Sequence, residues 1–316
     1  MPLLKRVFLI FLLLQLCLGS FSQETPLSPV SFRLFTPFVF NPAIAGSKDF
    51  LSADMITSFH GKDYAAIISA NTRLMKKQES FVSSTGLKEF TRIGTGISVF
   101  SENMSLAASS GASAAFSYHI PLNSRNLSFL SVGASAKAYR HSFDGDTSLG
   151  FEAARFSDPG ADAGIYYYSP RLYAGFSVTN IFSAPPEKDS IPSYRAPWSR
   201  HFYFNAGYKF IVSRSMNLVV EPSILLISGD TMQRDLKKWI KPALKIYAGD
   251  FLLGTYLNDF DNLSFFFQFR YPRFYAGTYF EFPRHTSFYR KTLTVEVAAG
   301  INLWGNKSGY SERSRW

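Results

Sequence analysis

Beyond residue 17 the chain contains no cysteine. The one thiol, Cys17, falls inside an apolar N-terminal run, so disulfides, cysteine nucleophiles and Cys–zinc sites are excluded for everything downstream. Leu16, rather than a small residue, precedes it, which argues against lipid attachment there. Charge is sparse as well, at 18% of 316 residues. No run reaches the roughly 20 apolar residues of a membrane helix. With a mean hydropathy of −0.01, a helical polytopic membrane protein is ruled out.

Aromatic residues, by contrast, are abundant: 32 Phe and 17 Tyr. A disordered chain would not carry them. Rich in aromatics, poor in charge and neutral in hydropathy, the composition suits strands that alternate apolar and polar residues, above all a β-barrel facing lipid. The net charge of +10 would by itself suggest nucleic acid. Yet the basic residues stand singly or in pairs, as in Lys76-Lys77 and Lys237-Lys238, and neither an arginine-rich arm nor a zinc-finger spacing occurs. They read as a solvated rim in contact with outer-membrane lipid, and no nucleic-acid partner is expected.

Lys5 and Arg6 precede an apolar run from Val7 to Leu18 that is too short to span a bilayer. Ser20 and Ser22 then fit the small-residue positions of a cleavage site. Residues 1–22 therefore read as a signal peptide cleaved before Gln23, and the mature chain as exported.

Period-two alternation fills most of the remainder. Leu293, Val295, Val297, Ala299 and Ile301 alternate with Thr294, Glu296, Ala298, Gly300 and Asn302. Leu172, Ala174, Phe176 and Val178 alternate with Tyr173, Gly175, Ser177 and Thr179. The polar face is Gly, Ser, Thr, Asn and Tyr, as in a wet lumen, and the segments run about 9–12 residues, enough for a tilted strand to cross the hydrocarbon. The pattern predicts an all-β fold: a transmembrane antiparallel barrel of about 14 strands, with short periplasmic turns and longer outer loops. Strands are expected near 50–59, 64–74, 92–102, 107–119, 127–141, 161–168, 172–181, 201–212, 216–228, 240–248, 250–258, 263–270, 274–282 and 291–303. Residues 23–49 then form a periplasmic N-terminal segment, 50–303 the barrel and 304–316 a polar periplasmic tail. The stretch 75–91 is long for a periplasmic turn, and the outer link 182–200 is rich in Pro and Ser.

Signals for catalysis are poor. The histidines His60, His119, His141, His201 and His285 are scattered, and Gly175-Phe176-Ser177-Val178-Thr179 lacks the closing glycine of a nucleophile elbow. Gly94-Thr95-Gly96 lies within a strand, where glycine makes room for aromatic neighbours, and is not a phosphate loop. Asp144-Gly145-Asp146 and Asp259-Phe260-Asp261-Asn262 offer carboxylates of the type calcium gathers, but they are equally what turns prefer and the ligand set is incomplete. No enzymatic activity, metal or cofactor is expected.

One segment is more specific. Phe40-Asn41-Pro42-Ala43-Ile44-Ala45-Gly46-Ser47, just before the first strand, resembles the N-P-A-x-A-G-S signature of the PorP/SprF family, with Asn41, Pro42, Ala43, Ala45, Gly46 and Ser47 carrying the match. A second stretch is similar to the family's glycine, tyrosine run, turn and F-Y-x-G-L-S-V: Gly164-Ile165-Tyr166-Tyr167-Tyr168, then Leu172-Tyr173-Ala174-Gly175-Phe176-Ser177-Val178. In it Tyr167, Tyr168, Tyr173 and Gly175 mark a barrel hairpin. The resemblance implies an outer-membrane barrel of the type IX secretion system of Bacteroidota, without enzymatic activity. Its implied partners are a secreted surface protein, such as a gliding adhesin, and periplasmic components of that system. From the residues alone, the N-terminal motif either packs against the barrel entrance or contacts a partner. A diffusion porin is the rival reading, since the same lumen chemistry permits it.

Overall fold

The computed structural model describes residues 34–48, 50–60, 63–74, 92–104, 107–123, 127–143, 153–182, 200–229, 239–258, 262–270, 273–283 and 293–303. The expected signal peptide (1–22), the tail (304–316), the stretch 75–91, most of the link 182–200 (183–199) and the carboxylates of 144–146 and 259–261 lie outside the described residues.

The strands are β1 (Leu51–His60), β2 (Asp63–Arg73), β3 (Ile93–Met104), β4 (Ala107–Asn123), β5 (Ser128–Phe143), β6 (Ala154–Tyr168), β7 (Leu172–Thr179), β8 (His201–Tyr208), β9 (Phe210–Ser213), β10 (Leu218–Gly229), β11 (Ile240–Ala248), β12 (Phe251–Asn258), β13 (Asn262–Arg270), β14 (Phe274–Pro283) and β15 (Thr294–Leu303). β8 and β9 both pair with β10 and are separated only at Lys209, so they make one stave of a fourteen-stave barrel. The flanking pairs place Pro222, which has no N–H to donate, opposite Tyr208 at that interruption. Each stave is antiparallel to the next, and β15 pairs with β1 from Leu51↔Leu303 to His60↔Thr294. Closure leaves no open edge, the condition for a sheet to sit in hydrocarbon.

The expected strands hold to within a few residues, with one instructive exception. β6 begins at Ala154 rather than 161, because Pro159-Gly160 reads as a turn yet lies in a strand. β7 accompanies β6 only from Ala163 onward, so Pro159 pairs with Ala138 on one side and has no ladder partner in β7. Proline is tolerated on such an edge.

Alternation sorts side chains as the pattern requires. Ile97, Val99, Val132, Ile165, Phe176, Leu253, Phe265 and Val297 point outward and are exposed, whereas Ser117, Ser131, Ser177, Asn205, Glu221 and Glu296 are buried on the inner side. The short connections at Ser169–Arg171, Arg214–Asn217 and Gly249–Asp250 share one end, which is periplasmic by the barrel rule. Strand lengths are uneven: β4, β5 and β6 have 17, 16 and 15 residues, β7, β8 and β12 have 8 each. The long trio therefore stands well above the rest on the outer side.

Facing can be tested at one adjacent pair. Val297→Arg sets a charge against lipid and is expected to lower stability by about 2–4 kcal/mol at mid-membrane depth. Ala298→Arg points inward into a cluster that includes Phe35, so it is expected to destabilise the full mature chain but to be tolerated once residues 23–48 are deleted. Midpoints of heat-modifiable gel mobility measure both, and equal sensitivity of Val297→Arg and Ala298→Arg in the deleted chain would contradict the register.

Candidate functional site

Residues 34–48 belong to the segment read from sequence as periplasmic, whose motif either packs at the barrel entrance or contacts a partner, and in the structure they are packed. They lie inside the barrel, the motif against the inward faces of β3 to β7 and the phenylalanines reaching β8, β10 and β14, because Phe35, Phe38, Phe40 and Ile44 need burial and the lumen supplies it. Two single 3-10 turns, Pro37–Val39 and Pro42–Ile44, shape the segment. Each opens on a proline, whose missing N–H is not needed at a helix start. Asn41 caps the second turn: its side-chain oxygen accepts from the Ala43 N–H at 3.1 Å. Gly46 ends the segment in the left-handed region (φ +64), and the Ser47 N–H closes the turn on the Ile44 carbonyl at 2.9 Å.

With no strand beside it, this backbone leaves carbonyls for side chains to satisfy. The Ser177 hydroxyl donates to the Phe40 carbonyl at 2.7 Å, Ser131 to Ala43 at 2.7 Å and Ser117 to Ala45 at 2.6 Å. Arg73 Nε donates to the Gly46 carbonyl at 2.8 Å. Asn41 Nδ2 returns a bond to the Ile165 carbonyl of β6 at 3.2 Å. His119 Nε2 lies 2.9 Å from the Ala45 carbonyl, with Nδ1 3.0 Å from the Tyr168 hydroxyl, which also meets Arg73. One proton order satisfies the row: Arg73 donates to Tyr168, Tyr168 to His119, and His119 to Ala45. Tyr168 is further held between Phe129, stacked at 5.1 Å, and Tyr166, stacked at 5.5 Å.

Space for the segment comes from glycine. A methyl group on Gly133 would lie 2.6 Å from Ala43 Cα, and one on Gly96 2.7 Å from the Phe38 ring. Gly164 and Gly175 face Asn41, and Gly94 faces Ala45, with equally little room. The apolar side chains complete the fit: Phe35 stacks on Tyr275 at 6.1 Å, Phe40 packs on Tyr203 at 5.6 Å, and Phe38, Phe40, Ile44 and Ala45 form one cluster with Ala115 and Leu225. Beside this seat lies a buried acid. Glu221 accepts from Lys245 Nζ (2.9 Å), Tyr173 (2.7 Å) and Tyr247 (2.8 Å), so the charge is neutralised and its lone pairs are engaged.

The two family-like stretches thus meet. Asn41, Pro42, Ala43, Ala45 and Gly46 are buried, with Ser47 half-buried at the exit, and Asn41 fits between Gly164 and Gly175, more than 100 residues away in sequence. Tyr168, Tyr173 and Gly175 face the lumen, whereas Tyr167 alternates to the lipid side with Ile165. The Gly96 clearing does hold an aromatic ring, but it is Phe38 of the segment rather than a strand neighbour. Sequence reasoning did not single out Ser117, Ser131, Arg73, His119 or Gly133. Their signal, inward serines and glycines on consecutive strands, fits a wet lumen equally well. Ser117 Oγ lies 3.0 Å from His119 Nε2, within reach for a nucleophile and base, but both side chains are buried and the hydroxyl is committed to Ala45. Among the described residues, no group of three His, Cys, Asp or Glu could hold a metal ion.

A family model described as "Type IX secretion system membrane protein PorP/SprF" matches residues 28–301. No curated protein sequence matches the chain. Similar solved structures include the outer membrane protein Omp33 of Acinetobacter baumannii (TM-score 0.44, 10% identity, covering 81% of this chain and 99% of that one). The KdgM porin (TM-score 0.38, 9% identity, 79% and 98%) and CdiB from Acinetobacter baumannii (TM-score 0.40, 6% identity, 81% and 60%) are others.

Two substitutions probe the seat. Asn41→Ala removes the cap and leaves the Ile165 carbonyl short of a donor, a loss expected to cost about 1–3 kcal/mol. Gly133→Leu leaves no room for Ala43 and is expected to expel the segment, so that a protease cleaves within 34–48 while the barrel keeps its heat-modifiable mobility. Continued protection of 34–48 in Gly133→Leu would contradict the packing.

Proposed function

Because the chain belongs to the PorP/SprF family of type IX secretion system membrane proteins, we propose that this outer-membrane barrel assists the secretion or surface anchoring of a partner protein, such as an adhesin used in gliding. Its outer links would meet the secreted partner and its periplasmic turns the envelope components of the system. The observation that supports this reading over a porin is the lumenal seat. A diffusion channel needs an open path, and here the motif that resembles the family signature is spent on filling the periplasmic half of the lumen. A filled barrel acts through its rims. The role proposed is non-enzymatic, and the enclosure of the Ser117–His119 pair by the segment it holds supports that reading. Export depends on residues 1–22, with cleavage before Gln23; deleting them is expected to strand the chain in the cytoplasm.

Replacing 183–199 with a short Gly-Ser linker separates the two readings. Loop closure depends weakly on length, so the barrel is expected to reach the outer membrane at its usual level. Surface display of one specific secreted protein is expected to be lost. In planar bilayers the mature barrel is expected to conduct little, and the chain lacking 23–48 to conduct steadily. Normal display with altered small-solute flux would reject the secretion role and favour the porin.

A further inference from the structure

The outward face of the long strands carries a feature that the secretion reading does not use. Arg140 on β5 and Arg155 on β6 are both exposed and both outward. The register pairs Arg140 with Ser157 and Ser142 with Arg155, which sets the two arginines on one diagonal, about 7–8 Å apart. Like charges so placed repel. The outward residues around them are neutral: Ser110 faces Arg140 across β4, and Ser142 and Ser157 complete the row. No ion pair among the described residues joins either arginine to an acid. Arg140, Ser110 and Ser142 also line a shallow cavity of about 180 Å³ together with Tyr64, Ser101 and Asn103. Glu102, on the same cavity wall, belongs by alternation to the inward side.

Depth gives the pair its meaning. One row toward the periplasm, the outward residues become Val99, Ala112, Ala138 and Pro159, and the two rows below are apolar but for Thr95 on β3. The arginines therefore stand where the barrel wall passes from hydrocarbon to water on the outer side. The wall beneath them is flat: Ala112, Ala114, Ala134, Ala136, Ala138 and Ala163 are all exposed. Larger side chains rise on either side, Ile97 and Val99 on β3 and Phe176 on β7. Two guanidinium forks and a set of hydroxyls above an apolar floor match a phosphorylated headgroup above its acyl chains, because the planar fork binds phosphate oxygens in pairs.

We propose that the outward face of β3 to β6 binds a phosphorylated glycolipid of the outer leaflet, with Arg140 and Arg155 on its phosphate and the alanine floor beneath its acyl chains. The site would tie the tall side of the barrel to the outer leaflet and fix its tilt.

The test uses the full mature chain in detergent, with bisphosphorylated lipid A as probe and native mass spectrometry or fluorescence titration as readout. Lipid A is expected to bind at least tenfold more tightly than its dephosphorylated form, than phosphatidylglycerol, and than inorganic phosphate. Arg140→Gln with Arg155→Gln is expected to lose at least tenfold in affinity for lipid A, while Arg171→Gln with Arg214→Gln, at the periplasmic end, leaves it unchanged. Ala136→Phe, which raises the floor but keeps both arginines, is expected to weaken lipid A binding and to spare any binding of free phosphate. Each variant is compared as heat-modifiable barrel. Equal binding of lipid A and its dephosphorylated form to the unaltered chain would overturn the proposal without any variant. So would undiminished binding by the double arginine variant, or phosphatidylglycerol binding as tightly as lipid A.

Discussion

A length of backbone that is neither helix nor strand can occupy a barrel only if each buried carbonyl finds a donor. In this protein the donors are three serine hydroxyls, one arginine and one histidine, each on a different strand position and each aimed at a carbonyl between Phe40 and Gly46. The inward composition of β3 to β7 follows from that requirement. Serine supplies a short, rigid donor, and glycine supplies the clearance that lets the segment come close enough to use it. A larger residue at Gly133 or Gly164 would break several bonds at once by moving the segment away from all of them.

The same logic explains how the inner charges are tolerated. Glu221 is buried, yet one lysine and two tyrosines converge on it, and Asp54 likewise receives Ser52 and Tyr275. A buried carboxylate with one partner would be costly, whereas one with its oxygens occupied fixes the side chains around it. Tyr173 and Tyr275 reach these acids from β7 and β14, and Tyr275 is also the ring on which Phe35 stacks. Polar bonds and apolar contacts of the segment thereby share residues, so neither set can relax alone.

Much of the fold is legible because a lipid-facing barrel writes a period of two into its sequence. Val297 and Ala298 can be assigned to opposite faces from the alternation of their neighbours alone. β6 reads as starting late from sequence because a turn dipeptide such as Pro159-Gly160 and an unpaired edge look the same without the register. The segment 40–47 stood out as a motif, but its location did not, since Gly133, Gly164, Ser131 and Ser177 lie far along the chain and each is ordinary by itself. Inward Gly and Ser fit an aqueous lumen as well as a docking surface. What separates the two is the presence of Phe35, Phe38 and Phe40 just before the motif, apolar side chains with no strand of their own to belong to.

The closing seam has a consequence for the order of assembly. β1 and β15 are the first and last strands, so pairing Leu51 with Leu303 requires almost the whole chain to be in place, the slowest kind of contact to form. The hydrogen bonds of the seat come only from β2 to β7, whereas its phenylalanines also pack on Tyr203 of β8, Leu225 of β10 and Tyr275 of β14. The polar bonds can therefore form on a sheet still open on one side, tying β4, β5, β6 and β7 to one another, and the phenylalanine contacts are completed only as β8 to β15 come round. Closure afterwards traps it by topology, since its C-terminal end runs directly into β1. What looks in the finished barrel like a stopper is also a tie, because the same residues that fill the lumen join early strands to late ones.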